Sequence, residues 1–134
     1  MTNPNIVDVA TINAGNASWD LPGTLTSALF TVGSEVIVKV NAILCTNVHA
    51  SDAGQLTLYI NGLNGTTVTG VTIEATTPVT TSFYLAKAVT IPVGDMLNVI
   101  DKPIYLMEAD VLKGGANYAS TLALYISYEI INDE

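Results

Sequence analysis

The sequence predicts an all-β protein, an antiparallel β-sandwich of jelly-roll type with about eight strands. Three observations predict it. Apolar residues alternate with polar ones at a period of two through several short segments, as in Leu122, Leu124, Ile126 and Ile130 against Thr121, Ala123, Tyr125, Ser127 and Glu129. Gly, Pro and Asn-Gly signals interrupt the chain at roughly ten-residue intervals, the spacing of an antiparallel sandwich. No helix of two turns or more is expected; the one short candidate, Glu108–Lys113, would be ended by Gly114-Gly115. The 134 residues read as one domain, 1–134, long enough to build a two-layer core.

Ile6 to Ile12 is a β-prone opening, and Asn13 to Gly23 (NAGNASWDLPG) is dense in turn residues, so residues 1–23 are expected to form an extended arm and loop. Leu25 to Val32 is a strand that Gly33 stops. Val36, Val38, Val40, Ala42 and Leu44 then share one face, with Glu35, Ile37, Lys39, Asn41 and Ile43 on the other. Asn47 to Gly54 is a polar connection. Leu56, Leu58 and Ile60 point inward, while Gln55, Thr57, Tyr59 and Asn61 point outward. Asn-Gly pairs at 61–62 and 64–65 predict a tight hairpin, with Val68–Ala75 returning as partner strand and Pro78 closing it. Phe83, Leu85, Val89 and Ile91 follow, with Lys87 on their phase, a conflict that a bulge or an edge position resolves. Pro92-Val93-Gly94 turns the chain into Met96–Ile100, Lys102-Pro103 leads into Ile104–Met107, and the Leu122–Ile130 strand is expected to be central.

Composition narrows function mainly by exclusion. Apolar residues make up 49% of the chain and charged residues only 12%, so part of its outside is expected to face protein. The net charge of −8, with four lysines and no arginine, disfavours nucleic acid and anionic membranes as partners. The first fifteen residues lack a basic residue and an apolar core, and so do not read as a signal peptide. The longest uncharged stretch, Ala53 to Ile73, is too rich in Thr, Gly and Asn to span a bilayer. With no secretion signal, the Asn16-Ala17-Ser18 and Asn64-Gly65-Thr66 acceptor patterns are chance matches. Cys45 is single, which fits synthesis in a reducing cytoplasm and a buried apolar role.

Catalytic material is scarce: one His, one Cys, no Arg and no serine on a nucleophile elbow. His49 is expected to cap a loop, and a zinc site lacks ligands. Asp95, Asp101, Glu108 and Asp110 lie near strand ends without calcium-loop spacing, and read as turn carboxylates. Gly62-x-x-Gly65 is a turn with no lysine or helix start to hold phosphate. No catalytic residue, cofactor or metal is expected. The candidate interface residues are Trp19, Ile37, Ile43, Tyr59 and Tyr125. Trp19 with Tyr59 and Tyr125 could stack a sugar, but outward tyrosines on a charge-poor sheet favour protein contact. Ile37, Ile43 and Cys45, apolar opposite the Val36–Leu44 face, predict a strand covered on both faces and hence self-association.

The second half also carries a resemblance. Tyr84-Leu85-x-Lys87-x-x-x-Ile91-Pro92-x-Gly94, then Leu106-x-Glu108-Ala109-Asp110-x-Leu112, then Ala119-Ser120-x-Leu122-x-x-x-x-Ser127-Tyr128 resembles small virion proteins of tailed phages. These are β-sandwich decoration or tail-associated subunits. The resemblance runs roughly from residue 47 to 131, and departs where the family commonly has Gly-Asp and this chain has Ala109-Asp110. It implies a non-enzymatic building block of a virus particle, made in the bacterial host cytoplasm. Its expected partners are other phage structural proteins of capsid or tail, and its own copies, with a closed trimer favoured by the habits of phage surface proteins. A glycan- or receptor-binding module of a fibre or tail is the alternative.

Overall fold

A computed structural model describes residues 11–61 and 82–132. They form nine strands: β1 Thr11–Asp20, β2 Ala28–Thr31, β3 Val36–Asn47, β4 Gly54–Asn61, β5 Ser82–Ile91, β6 Met96–Asn98, β7 Ile104–Leu106, β8 Val111–Ala116 and β9 Leu122–Asn132. Every pairing is antiparallel. One sheet has the order β1-β9-β3-β6, with β7 also pairing β3; the other has β2-β8-β4-β5. The strands β1 to β4 run out and β5 to β9 run back, and each outward strand pairs with a returning one: β1 with β9, β2 with β8, β3 with β6 and β7, β4 with β5. That is a long hairpin rolled into two sheets, a jelly roll. The edge beside β3 is broken into β6 and β7, the separate segments expected at Met96–Ile100 and Ile104–Met107, with Lys102-Pro103 in the break. Proline has no N–H to give a ladder and is confined to such interruptions.

Packing follows the alternation. Leu122, Leu124 and Ile126 of β9 are fully buried between the sheets, facing Leu56 and Leu58 of β4 and Leu112 of β8 within one core. β9 lies between β1 and β3, the central place expected for it. Tyr128 continues its inward phase and meets Phe30 of the opposite sheet edge-on, with ring centroids 5.0 Å apart. Gly15 pairs with Tyr128, and a Cβ at Gly15 would stand 2.8 Å from that ring, so the small residue gives the tyrosine its place.

Two expectations need correction, and a third lies outside the described residues. Thr11–Asp20 is a regular ten-residue strand in register with Asn132–Ala123, where a loop is expected over 13–23. Its turn-forming residues fit an edge strand because β9 supplies a ready ladder of hydrogen bonds, which outweighs weak local propensity. Asn61 is the last described residue of β4, and the hairpin turn and the 68–75 strand lie outside the described residues. Among the described residues β4 pairs with β5 on one edge and β8 on the other. Gly114-Gly115 ends no helix but lies in β8, where a Cβ on Gly114 would run into the Thr57 carbonyl of β4.

Two bulges reset the side-chain phase. Register shifts between Val40 and Ala42, so Val38 and Val40 face the core before the bulge and Ile43, Cys45 and Asn47 face it after. The sequence alternation, which puts Ala42 and Leu44 with Val38, fails at that residue. In β5 the register shifts opposite Leu58, and Ala88 takes φ 52°. Lys87 is thereby turned out while Ala86 and Ile91 stay buried; the strand is also the sheet edge, so both devices expected for this conflict are present.

Candidate functional site: the outer sheet faces

Residues paired across an antiparallel ladder share a face, so the registers give the outer surface of the five-stranded sheet directly. Ile12, Ile131 and Ile37 form one row across β1, β9 and β3. Ala14, Glu129, Lys39 and Tyr105 form the next, and Ser18, Tyr125, Leu44 and Asn98 a row further along. Lys39 Nζ stands 3.8 Å from Glu129 Oε2, and Asn41 Nδ2 donates to the same oxygen at 3.3 Å. Such an exposed pair adds little stability, but it leaves the middle of this face neutral. Tyr105, Ile12, Met96 and Tyr125 are exposed on it. These exposed apolar and aromatic residues stand among small polar ones, Asn16, Ser18, Ser127 and Asn98, with few charges.

The five candidate residues divide among different surfaces. Ile37 is on this outer face and is buried there; Tyr125 is on it and exposed. Ile43 is fully buried in the core, because the Asn41 bulge reverses its phase. Cys45 is buried by the same reversal, so most of the both-faced apolarity of this strand is a bulge. Only Ile37 remains as an outward apolar residue of the original set. Trp19 pairs with Leu124 and packs against the core from an edge strand rather than standing in a loop. Tyr59 is on the outward phase of the other sheet, outside the main core cluster, and is buried there. Trp19 packs against the core, and Tyr59 and Tyr125 lie on the outward sides of opposite sheets, so the three cannot make one stacking platform.

Around Tyr59 the four-stranded sheet has its own surface. Tyr59 is flanked by Lys113 of β8 and Tyr84 of β5. The two tyrosine rings are 5.1 Å apart at 43°, and Lys87 Nζ lies 5.0 Å from the Tyr84 ring centroid. The strands of this sheet hold two of the chain's four lysines and no acidic residue, which makes it a basic face on an acidic protein. Composition gave no hint of this segregation. Tyr105 could have been found from the sequence, since Ile104, Tyr105 and Leu106 alternate; the Lys113–Tyr59–Tyr84–Lys87 row could not, because it needs the strand order.

The chemically versatile side chains are committed to structure. Burial pushes the Cys45 thiol up to about 12, which keeps it protonated. His49 Nδ1 accepts the N–H groups of Ser51 at 3.1 Å and Asp52 at 2.9 Å, so the histidine caps its loop as expected. Asn47, buried, donates from Nδ2 to the carbonyls of Asp52 and Ile91 and accepts the His49 N–H at Oδ1, which fills its amide. Asp95 accepts the Met96 N–H, Glu108 the Glu35 N–H and Asp110 the Met107 N–H. Among the described residues no group of three or more His, Cys, Asp or Glu side chains is placed to hold a metal ion. Ala109 stands at φ 72°, a left-handed conformation that glycine adopts freely and that strains a residue with a Cβ. The chain matches no protein-family model, curated protein or solved structure with which it was compared.

Proposed function

We propose that this chain is a non-enzymatic virion structural protein of a tailed bacteriophage, a capsid decoration subunit or other particle-surface subunit. It acts by surface complementarity on other phage structural proteins. The observation that carries the proposal is the charge-poor outer face of the five-stranded sheet, with Tyr105, Tyr125, Ile12 and Met96 exposed on it. Aromatic residues and methionine with few charges are the composition of a protein-binding patch. Support for the virion setting comes from the sequence resemblance, and the jelly-roll order is compatible with it as a fold used in viral capsids and lectins alike. Support for a non-catalytic role comes from the single cysteine and histidine, both engaged in holding the fold.

Mass spectrometry and cryo-electron microscopy of purified phage particles test the proposal. The chain should copurify at many copies per particle, with sandwich-shaped density at repeated exterior positions and the β1-β9-β3 face turned toward a neighbouring protein. Absence from purified particles refutes it. Replacing Tyr105 and Tyr125 with Lys should leave the fold intact and abolish incorporation.

A further inference from the structure

One end of the sandwich gathers four connections: β1–β2 (21–27), β3–β4 (48–53), β5–β6 (92–95) and β8–β9 (117–121). Among the described residues, exposed Leu25, Val48, Val93 and Tyr118 sit in these connections, and Met96, at the end of the outer face of the five-stranded sheet, adjoins them. The charged residues of the same end are Asp20, Asp52 and Asp95, and none of the four connections contains a lysine. The loops are stitched together by backbone hydrogen bonds. Val48 N donates to Thr121 O at 2.9 Å, Asn47 N to Asp95 O at 3.0 Å, Ala116 N to Pro22 O at 2.9 Å and Asn117 N to Gln55 O at 3.2 Å. With Asn47 anchoring the β3–β4 loop, the surface is held in shape before it meets anything, which lowers the ordering cost of binding.

An acidic, apolar, rigid end calls for a partner that is apolar and basic. The chain carries such a surface itself, where exposed Tyr84 and Lys87 of β5 and half-buried Lys113 of β8 surround the buried Tyr59, on strands that hold no acidic residue. We propose that copies of this chain associate head to side, the acidic loop end of one docking on the basic aromatic face of the four-stranded sheet of the next. Charge complementarity selects this pairing: end against end would oppose aspartates, and face against face would oppose lysines. The contact joins two different patches, so it closes into a ring when the rotation between copies permits and otherwise runs on as a chain of subunits. It uses Asp20 and Met96 at the loop end of the five-stranded sheet and leaves the rest of that sheet's outer face, with Tyr105, Tyr125 and Ile12, free for a particle protein. The proposal assigns the self-contact of the subunit and does not depend on where in a particle the subunit sits.

The test uses two variants, Lys87→Glu with Lys113→Glu, and Asp20→Lys with Asp52→Lys. Asp95 is spared because it caps the Met96 N–H. Sedimentation velocity of the wild type should show concentration-dependent association that weakens as salt rises. Each reversed variant alone should associate at least about tenfold more weakly, since a favourable charge pairing becomes a repulsive one. An equimolar mixture should associate again, because each variant then offers the charge that the other lacks. Circular dichroism and thermal unfolding verify the folds; if a reversal unfolds the chain, Lys87→Gln with Lys113→Gln should give the same direction of loss. A wild type that stays monomeric at its highest soluble concentration overturns the proposal. So does association that the reversals leave unchanged, or a mixture that stays monomeric. None of these results bears on incorporation into particles, which the proposed function rests on.

Discussion

Replacing Asn47 with Ala should cost far more than a one-residue truncation at a loop edge suggests. The side chain is 2% exposed and makes three hydrogen bonds, donating to Ile91 O at 2.8 Å and Asp52 O at 3.0 Å and accepting the His49 N–H at 2.9 Å. The Ile91 bond is buried, so the orphaned carbonyl costs about 1–3 kcal/mol, while the two part-buried partners regain water and cost about 0.5 kcal/mol each. The sum, about 2–4 kcal/mol, is a large fraction of the roughly 5–15 kcal/mol that stabilises a domain. Trp19, the single tryptophan, packs against the core and reports unfolding by fluorescence. In urea the midpoint should fall by roughly 1–2 M with the slope unchanged. Val48→Ala, at an exposed neighbour, should shift stability by no more than about 0.5 kcal/mol. Hydrogen exchange should localise the loss, with the His49 amide deprotected first. An Asn47→Ala variant within 1 kcal/mol of wild type by the same fit, about the worth of one ordinary hydrogen bond, would refute the idea that this amide ties the loop end together.

Leu124 is fully buried near the start of β9, between Trp19 and Cys45, and Leu124→Ala should cost about 2–5 kcal/mol in the same urea assay; a loss under 1 kcal/mol would mean that β9 is not central to the core. Cys45, with its thiol pushed up to about 12 and no exposed surface, should resist iodoacetamide in the native state and take up one equivalent in denaturant; fast native labelling would contradict its burial. Asp110 is raised above its ordinary 3.8 by burial, against the lowering effect of the Met107 N–H. Its folded state therefore holds the proton to higher pH than the unfolded chain does, and the stability this contributes is full at low pH and declines as pH rises from 3.8 through the folded value. The stability of Asp110→Asn relative to wild type should accordingly improve between pH 3 and pH 7; parallel pH curves for the two proteins would show that this carboxyl is not desolvated.

Strand periodicity is local information, and it was enough for the all-β class, the inward set of β9 and the turn at Pro92-Val93-Gly94. Each rests on side-chain alternation or on a residue whose backbone preference is intrinsic. The Lys87 conflict was visible in the same way, because a charge on an apolar phase announces that the phase must change. Nothing local announced the bulge at Asn41. An apolar residue on either phase reads equally well as core or as surface, so Ile43 and Cys45 passed for an outward face until the pairing with β9 counted the residues. The strand over Thr11–Asp20 was likewise hidden, because its ladder is supplied by residues more than a hundred positions away. The candidate surfaces belong wholly to this second kind. Lys113, Tyr59, Tyr84 and Lys87 come from three strands that become neighbours only when the long hairpin rolls up, and the four connections of the apolar end meet for the same reason. Alternation determines which way each residue points within its strand; only the order of strands decides which residues stand side by side.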